Sequence, residues 1–188
     1  MSGYVLDIDG LPDDWPVNKI SDEFLRELGA TIATFGALEE VLRKTIFALT
    51  GTKRFGTDEE VDVDEWAKLL GGVLRDALKR KINCLENVLR EDPDPTLSDW
   101  PTLIEEMRKA NKYRDILCHG AWTTGQSDGS WHPLFINTND EIFAEDFDPD
   151  KLRELRRSVV TLIANCINLV TLKGHQFPGG VGPGTPIW

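Results

Sequence analysis

The chain has 188 residues, of which 40% are hydrophobic and 28% charged, and a formal net charge of -11. That length supports a core without disulfide or metal staples, and the composition is that of a globular domain rather than a fibrous or low-complexity chain. The negative charge argues against a generic nucleic-acid coat protein while leaving room for a local basic site.

Residues 1–20 hold Pro12 and Pro16 among acidic side chains and read as an extended leader. Its opening, MSGYVLDIDGLPDDW, has neither a basic n-region nor an apolar h-region, so no secretory signal is expected. Ser21 or Asp22 can cap a long first helix. Its apolar positions, Phe24, Leu28, Ile32, Phe35, Leu38, Leu42, Ile46 and Leu49, follow helical spacing, and Gly51 reads as its stop. After a polar connection, Asp62 and Glu65 resemble a capping box that opens a second helix over Val63–Arg90, bent at Gly71 and Gly72. EDPDPTLSD is a loop. Asp99 and Pro101 then start a third helix that ends at Gly120.

From about 121 to 147 the pattern changes to short aromatic and β-branched runs, AWTT, WHPLFI and EIFAEDF, which suggest a small β-hairpin or meander. Asp148 and Pro149 open the last helix as N-cap and first-turn proline. Leu152, Leu155, Val159, Leu162, Cys166 and Leu169 share one face of it, and Gly174 ends it. Residues 175–188 are Gly/Pro-rich and read as a flexible tail. The expected fold is mainly all-α: an up-down bundle of four long helices over 21–174 with a β insert before the last.

The most apolar run, VVTLIANCINLVTL, is too short for a membrane span, so no membrane partner is expected. Cys84, Cys118 and Cys166 are odd in number and widely spaced, as free thiols in a reducing compartment would be. Together these point to a cytoplasmic protein. No cluster of His, Cys or carboxylates has metal-ligand spacing, and no cofactor or metal is expected.

The chemistry concentrates in KYRDILCHGAW, residues 112–122, at the end of the third helix. Arg114 continues the stripe Leu103–Met107–Ala110–Leu117, so periodicity sends it toward the core. A buried guanidinium needs a partner, and Glu39, between Phe35 and Leu42 on the first helix, is the candidate. His119 stands in the last turn, at the negative end of the helix dipole and four residues after Asp115. The cluster supplies a proton carrier, a fixed cation for phosphate oxygens and a carboxylate to orient the ring. That inventory suffices for RNA cleavage without a metal: a base deprotonates the ribose 2'-OH and a cation stabilises the developing charge. On spacing alone a simpler account stands beside it, a histidine that caps helix carbonyls and an arginine paired in the core.

Arg114, a polar residue, the run ILC, then His119-Gly120 and a tryptophan two positions on resemble the signature of the HEPN superfamily. FGALEEVLRKTI resembles the first HEPN helix, and the likeness spans residues 21–173. The resemblance implies a homodimer in which two Arg/His motifs meet across a cleft as a composite endoribonuclease site. It implies Arg114, Asp115 and His119 as catalytic residues, Glu39 as a supporting one, single-stranded RNA as substrate, and no action on DNA. A toxin, stress or phage-defence effector with an antitoxin or regulatory protein as partner is the matching biology. The family's usual Asn after the arginine is Asp115 here. A catalytically silent HEPN-like module that binds a nucleotide or a protein partner is the second reading, and a purely structural interaction bundle is the third.

Other groups are expected to be structural. Cys118 reads as a small buried residue, His132 as a surface strand residue and His175 as an incidental tail residue. Arg75, Lys79, Arg80 and Lys81, like Arg153, Arg156 and Arg157, read as solvated helix faces. Trp122 and Trp131 read as caps on the core.

Overall fold

The structure is a computed structural model, and it describes residues 6–55, 63–91, 99–127 and 129–180. Among these, five α-helices follow in order: α1 (Asp22–Phe55), α2 (Val63–Arg75), α3 (Leu78–Arg90), α4 (Trp100–His119) and α5 (Pro149–Leu172). A hairpin of β1 (Ala121–Thr124) and β2 (Trp131–Leu134) lies between α4 and α5. The chain is thus mainly helical with a small antiparallel sheet. Helix α1 is the central element, with α5 packed along it and α3 against it, and α4 closes the group against α3.

Local signals explain the helix starts. The Ser21 hydroxyl accepts the Phe24 amide proton, so Ser21 is the cap of α1. The Asp148 carboxylate accepts from the Lys151 amide, with Pro149 following in the first turn of α5. Asp99 occupies the cap position of α4, but its side chain makes no capping bond. Gly174, at a φ of 75°, ends α5 in the left-handed conformation that glycine adopts without strain.

Three boundaries differ from expectation. Helix α1 runs through Gly51 to Phe55, because Gly51 is buried beside Ala48, Leu49 and Thr50 and packing holds it helical. The expected second helix is two helices, and the break is at Asp76–Ala77 rather than at Gly71–Gly72. Ala77 is extended, and the freed Asp76 carbonyl accepts from the Lys81 ammonium, while the Asp76 carboxylate pairs with Arg80 at 3.0 Å. Residues 8–20 are a series of turns rather than an extended leader, with a short 3-10 turn at Ile8–Gly10 and hydrogen bonds from Trp15 to Pro12, Val17 to Asp14 and Ile20 to Val17. Asp62 of the expected capping box lies outside the described residues.

The apolar face of α5 is more completely used than the spacing suggested. Ile163, Ile167 and Val170, beside the expected stripe, are also buried within the single chain, while Val160 is exposed. Among the described residues, α5 is the helix long and apolar enough to cross a membrane by length and composition alone, yet this face packs on α1. Two threonines of α1 tie the pair: the Thr31 hydroxyl lies 3.2 Å from the Leu152 carbonyl and that of Thr45 3.4 Å from the Cys166 carbonyl. Arg153 and Arg156 of the basic run on α5 fasten it to α1, while Arg157 is exposed as expected. Glu27 of α1, with its side chain 4% exposed, pairs with Arg156 at 2.7 Å and with Arg153 at 3.4 Å.

The insert is held by aromatic rings. Phe24 meets Trp122 at 5.0 Å and Trp131 at 5.8 Å between centroids, and Phe147 lies 5.8 Å from Trp122. Edge-to-face packing of this kind adds to the area buried. The hairpin pairs Trp122 with Pro133 and Thr123 with His132, and isolated bridges join Trp131 to Phe147 and Ile136 to Ile142. Both tryptophans therefore cap the core. The start of the tail is docked as well, because Phe177 belongs to the core and His175 is half-buried, held by a backbone bond to Val170.

Candidate functional site

The motif occupies the last turns of α4. Its buried stripe is Leu103, Ile104, Met107, Ala110, Ile116 and Leu117, which leaves Arg114 at the edge of the core rather than in its middle. The Arg114 side chain is 29% exposed. It lies 3.8 Å from a Glu39 oxygen, as expected, and 3.3 Å from the Asp115 carboxylate, so two carboxylates flank it. Glu39 is shared, however. Its other oxygen is 3.2 Å from the Lys81 ammonium, whose side chain is only 2% exposed.

Lys81 is the residue that sequence reasoning missed, having been placed on a solvated face. It sits in the buried row Leu78–Lys81–Ile82–Leu85 of α3 and satisfies its charge with Glu39 and the Asp76 carbonyl. A fully buried lysine is tolerated only with such partners. The signal was present in the spacing, because Lys81 is three residues after Leu78 and four before Leu85.

Asp115 does not orient His119. One of its oxygens accepts from the Asn111 side-chain amide at 3.2 Å and the other faces Arg114. His119 is exposed, and among the described residues its ring has no hydrogen-bond or ion-pair partner. Gly120 follows because nothing larger fits: a Cβ there would stand 2.7 Å from the Ile116 carbonyl oxygen and 2.9 Å from the Pro133 Cβ. The glycine lets the helix end close directly on β2, and its amide bonds the Ile116 carbonyl at 2.8 Å.

Cys118 is exposed, contrary to the expectation of a buried thiol, while Cys166 is buried and its thiol is pushed up to about 12 by desolvation. Cys84 is intermediate, and burial raises it too. His132 is partnered rather than a plain surface residue: its Nδ1 is 2.8 Å from Asp146. Asp146 also accepts from the Gln126 amide at 2.6 Å, and this bond, followed by that to His132, holds its carboxyl below the usual range. The group latches the loop between β1 and β2 to the strand-like segment before α5.

A cavity of about 450 Å³ opens between α4 and the insert, walled by Tyr113, Ile116, Phe135 and Phe143 with Asp115 and Lys112 at its α4 side. Among the described residues no three His, Cys, Asp or Glu side chains are grouped to hold a metal ion. No family model matches the chain, and neither a curated protein nor a solved structure does.

Proposed function

We propose that this chain is a HEPN-type endoribonuclease that cuts single-stranded RNA without a metal ion, acting in the cytoplasm as a homodimer in a toxin, stress or phage-defence role. The observation that carries this reading is the division of labour in the motif. Arg114 is held by Glu39 and Asp115, while the His119 ring, at the exposed end of the same helix, has no hydrogen-bond or ion-pair partner among the described residues.

In this mechanism His119 accepts the proton of a ribose 2'-OH, the 2'-oxygen attacks phosphorus, and the bond from phosphorus to the 5'-oxygen breaks. The histidine of the second copy returns a proton to the leaving 5'-oxygen. Arg114 offsets the charge that builds on the phosphoryl oxygens. The products are a 2',3'-cyclic phosphate and a 5'-hydroxyl, and DNA is not cut because it lacks the nucleophile. The test is cleavage of total RNA by the purified protein in EDTA, with His119→Ala alongside. Cleavage that needs magnesium, or that survives His119→Ala, refutes it.

One observation favours the second reading, a catalytically silent HEPN-like module that binds a nucleotide or a protein partner such as an antitoxin. Two carboxylates already neutralise Arg114, and one of them, Asp115, stands where the family's usual residue is uncharged. Failure of the wild type to cut any RNA selects that reading.

A further inference from the structure

Arg114 is flanked by carboxylates but not saturated by them. Its hydrogen bond runs from Nη1 to Asp115 at 3.3 Å, while Nη2 stands 3.8 Å from Glu39, outside hydrogen-bond reach. Among the described residues Nε and Nη2 therefore have no acceptor, and an unpaired guanidinium N–H is a ready donor to a phosphate oxygen. The side chain is 29% exposed, so it is not sealed off from a ligand.

The group that holds Glu39 back is on α3. Lys81 Nζ lies 3.2 Å from the other Glu39 oxygen and also donates to the Asp76 carbonyl. It cannot wander, because its side chain is 2% exposed in the row that also buries Leu78, Ile82 and Leu85. Two cations, Lys81 and Arg114, thus face two carboxylates, Glu39 and Asp115, and the group is formally neutral. Among the described residues no other side chain forms an ion pair with any of the four. Without the ammonium the group carries one net negative charge, which repels a phosphate. Glu39 also loses its nearer partner, and a shift of about 1 Å then brings it within hydrogen-bond distance of Nη2.

Resting on the ribonuclease reading, in which Arg114 meets the phosphoryl oxygens, we infer that Lys81 is a positioning residue for Arg114: by holding Glu39 it keeps Nη2 and Nε open to one RNA phosphate. Buried as it is, Lys81 touches no RNA and acts through Glu39. The neutralisation of Arg114 by its two carboxylates is only partial in this arrangement. A purely structural tie between α1 and α3 lowers stability when it is lost but leaves the number of phosphate contacts unchanged. The positioning role changes that number.

The test counts phosphate contacts without cleavage. A 2'-O-methyl oligonucleotide, which cannot be cut, is titrated by fluorescence anisotropy at several salt concentrations, with folding of each variant checked by circular dichroism. On a single strand each phosphate contact contributes about 0.7 to the steepness of log K against log salt. Arg114→Ala sets the reference, a loss of about 0.7 in steepness and about tenfold in affinity, the size of one charge-assisted contact. Lys81→Met is expected to show the same two losses. Lys81→Met/Glu39→Gln, which removes the closing carboxylate as well, is expected to regain both. Lys79→Met removes a charge from the exposed side of α3 and should change neither. If Lys81→Met does not fold, Lys81→Gln, which keeps a donor for the Asp76 carbonyl, takes its place. Wild-type affinity and slope in the folded Lys81 variant, a loss of affinity at unchanged slope, or no regain in the double variant overturns the inference. So does a wild-type slope in Arg114→Ala, or no binding by the wild type. Cleavage of unmodified RNA by the wild type with any such result leaves the ribonuclease reading standing. The full binding pattern without any cleavage keeps the positioning role and overturns the ribonuclease.

Discussion

The Lys81 ammonium lies 3.2 Å from Glu39, closer than the Arg114 guanidinium at 3.8 Å on the other oxygen of the same carboxylate. Glu39 therefore joins α1 to α3 and α4 at once. Without Lys81 the carboxylate would answer to Arg114 alone, and the Asp76 carbonyl would lose its donor. Lys81→Met keeps the stem and removes the charge. It is expected to destabilise the protein by about 1–3 kcal/mol, the usual cost of stranding buried polar groups. Urea unfolding followed by circular dichroism measures it, and a midpoint equal to that of the wild type would contradict the bridging role.

His119 and Arg114 should separate in their effects. His119→Ala is expected to abolish RNA cleavage while changing stability by less than about 0.5 kcal/mol, as exposed substitutions do. Arg114→Ala should abolish cleavage as well and also lower the unfolding midpoint, because it leaves Glu39 and Asp115 without a shared cation. Equal stability of the two variants would argue against the observed ion pairs.

In the ribonuclease reading proposed above, Asp115 restrains the motif. Asp115→Asn removes one of the two carboxylates on Arg114 and supplies the residue usual in the HEPN motif that the sequence resembles. It should raise cleavage severalfold at unchanged protein concentration, read on a fluorogenic oligoribonucleotide. A fall in rate instead would assign Asp115 a positive part in the chemistry.

The elements with local causes were legible in the sequence. Ser21, Asp148–Pro149 and Gly174 work through bonds to the next few residues, and their boundaries follow from spacing. Elements decided by distant partners were not legible. Glu27 is buried because Arg156, 129 residues away, neutralises it. The break at Asp76 exists because Lys81 takes its carbonyl, and Gly51 stays helical because its neighbours are buried. At the site, Glu39 near Arg114 followed from periodicity, but the competing lysine did not. The stripe drew Arg114 too deep: Ile116 and Leu117 are the buried residues of that turn, and Arg114 stands at the edge beside them.

Acid should loosen the insert and the α1–α5 seam first. Asp146 is held below the usual range by its bonds to Gln126 and His132, and Glu27 by its bond to Arg156. A carboxyl whose folded value is depressed contributes stability that is complete above its unfolded value and is lost as pH falls through the folded one. The loss belongs below about pH 4, the ordinary carboxylate range. Asp146→Asn and Glu27→Gln should each flatten the acid limb of the stability curve. A limb of unchanged steepness in both would refute the assignment.

Thiol reactivity should rank the three cysteines. Cys118 is exposed and should react first with iodoacetamide, Cys84 more slowly, and Cys166 only on unfolding, since burial pushes its thiol up to about 12. Mass spectrometry of partly alkylated protein checks the order. Labelling of Cys166 in the folded state at the rate of Cys118 would contradict the packing of α5.

Phe177 places the natural edge of the folding unit beyond the helix that seems to finish it. Gly174 stops α5, but the chain turns back after it and seats an aromatic ring that is 5% exposed. A truncation designed from the helix boundary would open a hole where that ring was, and emptying a phenylalanine site costs about 3–5 kcal/mol. The shortest chain that keeps its core closed reaches at least Gly180, whose amide bonds the Phe177 carbonyl at 2.9 Å.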